Sequence, residues 1–115
     1  MVGRESMNAI PITPNVLDRM TEVLRDAARP TRIILFGSQA RGTADSGSDY
    51  DLLVVEPGVP DRVGEMVRLR RLLSPLRVCV DLLVLGEASF RDQAAIPGNW
   101  VYEAATEGRV LYESR

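Results

Sequence analysis

The sequence predicts one layered α/β (α+β) domain in which helices pack on a small sheet, and three observations carry that expectation. Apolar runs of strand length recur at residues 33–36, 52–55 and 78–85. Between and before them lie segments whose apolar residues repeat at helical spacing. The 115 residues are enough for one modest core and one domain, spanning 1–115, with no room for a second lobe.

The elements follow in order. Thr13 caps a first helix with Pro14 at its first turn, and Val16, Leu17, Met20, Val23, Leu24 and Ala27 line one face of it. Residues 31–36 read as a strand covered on both faces, because Ile33 to Phe36 is apolar without alternation. A helical turn is expected over 38–42 and a second strand over 49–56, antiparallel to the first and ended by Pro57-Gly58. A helix from Asp61 to Leu73 follows, with Val63, Met66, Val67, Leu69 and Leu73 on one arc, and Pro75 marks its end. The third strand takes 77–85. Beyond Gly86 the pattern gives a short helix over 87–92, a bend at Pro97-Gly98, a helix from Trp100 to Glu107 closed by Gly108, and a last strand including Val110 to Tyr112. About the first ten residues read as loosely ordered.

The chemistry concentrates where the first strand meets the second. Gly37 lets the backbone approach a ligand closely, and Ser38 to Arg41 can open a helical turn whose free N–H groups face an anion, a phosphate cradle built without lysine. Asp49 and Asp51 lie two apart on a strand, so their carboxylates share one face, roughly 6.6 to 6.8 Å apart along the chain. From Leu52 the strand is apolar on both faces, so these charges sit where the chain enters the core. They call for a compensating cation, and magnesium suits a site of carboxylates plus substrate phosphate. Asp81 is the single charge in the apolar run from Val78 to Leu85. A buried carboxylate there needs a partner, either the same ion site, where it could also take a proton from an attacking hydroxyl, or a structural arginine.

Composition narrows the chemistry further. All 14 basic residues are arginine; there is no histidine, and 16 acidic residues leave a formal charge of -2. Schiff-base lysines, a P-loop lysine, histidine bases and Ser-His-Asp triads are excluded. An overall acidic balance disfavours stable nucleic-acid or anionic-membrane binding. The lone Cys79 reads as core, with no disulfide and no base to activate a thiol. Few cysteines and no apolar stretch up to Pro14 place the protein in the cytoplasm. Arg70 falls on the apolar arc of its helix, where its stem snorkels. Trp100 and Tyr102 read as core or interface rather than site.

With Gly37-Ser38, the Ala40-Arg41-Gly42 that follows, Asp49-Tyr50-Asp51 with its apolar continuation, and Asp81 in hand, the chain resembles a minimal nucleotidyltransferase of the DNA polymerase beta superfamily. The motifs occupy residues 33–55 and 78–85, and the element order fits most of the chain. The resemblance implies the mixed-sheet nucleotidyltransferase fold. It also implies phosphate binding by Gly37 and Ser38, magnesium held by Asp49, Asp51 and Asp81, and activation of the acceptor hydroxyl by Asp81. Gln39 departs from the arginine that many relatives carry after the Gly-Ser pair, which shifts phosphate binding toward Arg41. Further implied are transfer of a nucleotide, AMP from ATP, and pairing with a helical HEPN-type toxin whose tyrosine is the acceptor. Two alternatives stay open, a noncatalytic subunit that neutralises its partner by contact, and an antibiotic-type small-molecule transferase, which the missing substrate domain disfavours. A homo-oligomer is compatible with the sequence.

Overall fold

The computed structural model describes residues 16–37, 40 and 49–114. The expected helix start at Thr13-Pro14, the loose first ten residues and, apart from Ala40, the turn over 38–42 lie outside them. Helix α1 spans Val16–Ala28, strand β1 Arg32–Phe36, strand β2 Tyr50–Glu56 and helix α2 Arg62–Leu73, which runs into a 3₁₀ turn at Ser74–Leu76. Strand β3 then takes Val80–Gly86, helix α3 Glu87–Ala94, helix α4 Trp100–Glu107 and strand β4 Arg109–Glu113.

The four strands form one mixed sheet in the order β3-β2-β1-β4. β1 runs antiparallel to β2 and β4, as the sequence led us to expect for the first pair, while β2 and β3 are parallel and joined through α2. A parallel pair needs such a crossover, and here it supplies the cover for one side of the sheet.

Alternation along the central strands divides the core in two. Ile33, Leu35, Leu52, Val54, Leu82 and Val84 meet Leu17, Met20 and Leu24 of α1 and Leu69 and Leu73 of α2. On the opposite face, Ile34, Leu53, Val55 and Leu85 meet Phe90 of α3 and Val101 and Ala104 of α4. Because β1 and β2 are both interior to the sheet and covered on both faces, they had to be apolar without interruption.

The arc of α2 is narrower than expected. Leu69 and Leu73 are buried and Met66 partly so, but Val63 and Val67 are exposed, and Arg70 is exposed rather than threaded along the apolar face. Positions 66, 69 and 73 fall on one stripe of a 3.6-residue helix, whereas 63, 67 and 70 fall on the next. The helix start is fixed by Asp61, whose side chain accepts from the Gly64 N–H at 3.0 Å. At the other end of the chain, Asn99 caps α4 by accepting from the Val101 N–H at 2.8 Å. Gly108 then lets α4 turn directly into β4, since a Cβ there would lie 2.6 Å from the Ile34 side chain and 2.9 Å from the Leu35 carbonyl oxygen.

Candidate active site

The site is built where β1 ends. Gly37 follows Phe36 with φ of 75°, in the left-handed region that favours glycine, and a Cβ on it would collide with the carboxylate of Asp51. The glycine therefore has two causes, a backbone turn and the need to let Asp51 lie against it. Phe36 and Asp51 are register partners across β1 and β2, so the turn and the carboxylate meet as a direct result of strand pairing.

Asp51 and Asp81 are in turn register partners across the parallel pair β2 and β3. Both belong to the face carrying Leu53, Val55, Leu83 and Leu85, and neighbouring strands lie about 4.8 Å apart. Asp49 stands one residue before β2. The beginnings of the two strands are tied by a 2.9 Å bond from the Tyr50 N–H to the Cys79 carbonyl. The structure thus places Gly37, Asp51 and Asp81 side by side across three adjacent strands, with Asp49 just outside the sheet. Ser38 and Arg41 lie outside the described residues.

Two expectations about burial are corrected. Asp81 is exposed, not buried, and so is Cys79. Both precede the point where β3 passes under its covering helices, and β3 is an edge strand, so the apolar run overstated how deep its first residues sit. An exposed Asp81 carries no desolvation cost that would call for a partner. What links it to the site is its register with Asp51, and among the described residues no arginine pairs with Asp81 or Asp49.

Among the described residues no three acidic side chains close into a ready-made metal cluster. The donor set still fits a hard divalent ion of the magnesium type. Such an ion is commonly held by one or two carboxylates and completes its shell with water and substrate phosphate, and Asp51 and Asp81 are adjacent oxygen donors with Asp49 nearby.

Two features escaped the sequence reading. Trp100 stacks on Phe36, with ring centroids 5.7 Å apart and planes tilted by 32°, and the pair lines a cleft that opens beside Gly37. Residues 36 and 100 belong to separate elements, and no local pattern could have paired them. The second is Glu56, which ends β2 at the opposite end of the sheet and is only 7% exposed. Burial first, and then a hydrogen bond and charge repulsion from Glu65, push its carboxyl up to about 8. Glu65 is held below the usual carboxylate range by Arg68, which donates to it through Nε at 2.9 Å and Nη2 at 2.8 Å and also reaches the Ala27 carbonyl at 3.0 Å. A charge closing an apolar strand was the available signal for Glu56. This network joins α1, β2 and α2 and does not reach the aspartates.

A family profile described as the nucleotidyltransferase domain matches residues 17–106, which include every described residue of the cluster. The chain belongs to that family. Comparison with curated proteins gave no match. Among solved structures, this nucleotidyltransferase is similar to a mutant of the toxin-antitoxin complex MntA-HpeT, at 28% identity and a TM-score of 0.62 over 90% of this chain and 76% of the other. A toxin-antitoxin structure with AMP-PNP is 25% identical with a TM-score of 0.62, covering 89% of this chain and 76% of that one. A complex of tri-AMPylated Shewanella oneidensis HEPN toxin with its MNT antitoxin is 25% identical with a TM-score of 0.55, covering 86% and 71%. These neighbours share the nucleotidyltransferase fold, and the resemblance drawn from Gly37, Asp49, Asp51 and Asp81 led to the same family. No helix of the described residues is long and apolar enough to cross a membrane.

Proposed function

We propose that this nucleotidyltransferase uses magnesium to move AMP from ATP onto a tyrosine hydroxyl of a HEPN-type toxin, and so acts as an antitoxin. The observation that carries the reading is the register of Asp51 against Asp81 beside the Gly37 turn. The similar complexes with AMP-PNP and with an AMPylated HEPN toxin support the choice of donor and acceptor.

In this reading the acceptor oxygen forms a bond to the α-phosphorus, the bond from that phosphorus to the bridging oxygen breaks, and pyrophosphate leaves. Gly37 and Ser38 seat the phosphates, with Arg41 adding charge. Asp49 and Asp51 hold the metal, and Asp81 joins them while accepting the proton released by the acceptor. Magnesium, when bound, supplies charge neutralisation on the phosphates and a lowered pKa for the acceptor hydroxyl. Most of the acceleration in such chemistry comes from positioning and electrostatics, so the carboxylates carry it without any histidine or lysine.

The test is intact-mass measurement of the partner after incubation with this chain, magnesium and each nucleoside triphosphate in turn. An added AMP mass is expected with ATP and its absence with Asp51→Asn. A stable complex whose partner never gains mass, whichever triphosphate is supplied, would instead make the chain a binding subunit.

A further inference from the structure

The cleft beside Gly37 adjoins the aspartate cluster at that residue but is lined by none of its carboxylates, and its walls differ in character. Phe36, Gly37, Trp100, Glu103, Glu107 and Gly108 line a space of about 240 Å³. Trp100 opens α4 and is 42% exposed, so it is neither core nor fully covered by Phe36. An aromatic shelf of this kind offers a face to a flat ring. The two glutamates on α4 repel phosphate yet accept hydrogen bonds from ring amino groups or ribose hydroxyls. A triphosphate that entered the cleft tail first would meet like charge; entering ring first, it would leave its tail at Gly37 and the Asp51 carboxylate.

Strand order fixes which reactant this is. Asp81, the proposed proton acceptor, lies on β3, whereas the cleft lies at β1 and α4, on the far side of β2. Two strand spacings, about 10 Å, separate them. The acceptor hydroxyl must approach Asp81, which leaves the cleft to the donor.

We propose that the Phe36–Trp100 cleft binds the nucleoside end of the triphosphate, with Trp100 as its stacking surface and Glu103 and Glu107 excluding phosphate from it. The inference rests on the nucleotidyltransferase reading above and adds a substrate-positioning residue to it.

Trp100 is the only tryptophan in the chain, so the full-length protein reports on its own cleft. Fluorescence excited at the red edge, where nucleobases do not absorb, is followed during titration with magnesium and either AMP-PNP or inorganic triphosphate. AMP-PNP is expected to quench it saturably; inorganic triphosphate is expected to compete for binding without quenching. Trp100→Ala should raise the Kd for AMP-PNP roughly 10- to 100-fold, with Trp100→Phe retaining most of the affinity. Neither variant should alter inorganic triphosphate binding, which also reports an intact fold. In transfer assays Trp100→Ala should raise KM for ATP while kcat changes less than about threefold. Equal quenching by both ligands would overturn the proposal while leaving the transferase reading intact, and so would wild-type affinity for AMP-PNP in Trp100→Ala or quenching only on addition of the partner protein. Failure of the wild type to bind either ligand would remove both.

Discussion

Where β1 gives way to Gly37, Asp49 and Asp81 stand exposed with no ion pair among the described residues, whereas at the opposite end of the same sheet each partly buried carboxylate is answered by arginine. Glu87 accepts from Thr31 Oγ1 at 2.6 Å and Arg91 Nε at 2.8 Å and lies 3.6 Å from Arg32, and these contacts hold its carboxyl below the usual range. Glu65 is forked by Arg68. Arg32 also reaches Glu113 at 3.5 Å and sits over the Phe90 ring, 5.0 Å from its centroid. The same functional group therefore stands in opposite surroundings at the two ends. Arginine-matched carboxylates fasten helices and strands to one another, whereas Asp49 and Asp81 fasten nothing among the described residues, which suits the cation-holding role proposed for them.

The sharpest break of this comparison is Asp81→Asn. If Asp81 accepts the proton, transfer to the partner should fall by about 10²- to 10⁴-fold. The melting temperature should stay within about 3 °C of wild type, because the side chain is exposed and pairs with no described residue. Labelled-nucleotide transfer read beside a thermal melt decides it, and near-normal transfer would remove Asp81 from the chemistry. Gly37→Ala comes next. Its Cβ would displace the Asp51 carboxylate in a backbone region that costs an L residue about 1–2 kcal/mol, so both activity, by roughly 100-fold, and stability should fall. Glu87→Gln inverts the pattern. It should lower unfolding free energy by about 1–2 kcal/mol in denaturant titration while leaving transfer unchanged. A loss of activity there would mean that the two ends are not independent.

How much of this was legible beforehand follows from what each signal depends on. The β1 and β2 strands and the Gly37, Asp49 and Asp51 placement could be read because a strand's period and a glycine turn are local properties, and strand pairing then had few options. Burial depended on things no local pattern contains. Val78 to Leu85 looked uniformly interior, yet β3 is an edge and its first residues project past the helices, which exposed Cys79 and Asp81. In α2, two adjacent stripes both carried apolar residues, and only contact with α1 and the sheet selected the one with Leu69 and Leu73. The pairing of Phe36 with Trp100 joins residues far apart in sequence and left no trace in either segment.

The smallest expected effect on transfer lies in the pH dependence of the arginine-matched end, and Glu56 is its source. One of its oxygens, Oε2, is buried with no hydrogen-bond partner among the described residues, and its carboxyl is raised from 4.5 to about 8 mainly by burial and then by Glu65. Between those two values the folded protein keeps a proton that the unfolded chain has released. Stability from this group is therefore complete below about pH 4.5, declines as the pH rises, and is gone above about 8. Glu65 works in the other sense: its lowered pKa gives stability above its ordinary value that is lost as the solution becomes strongly acidic. Glu56→Gln keeps a neutral side chain of the same shape and removes the first titration. Melting curves taken from pH 5 to pH 8 should show a decline in the wild type that the variant lacks, with the variant more stable by roughly 3–4 kcal/mol at pH 8 and nearly equal to wild type at pH 5. Parallel curves would mean that Glu56 titrates normally. Because Glu56 closes β2 at the end remote from Asp51, the variant's transfer rate should follow the wild type's at every pH at which both are folded.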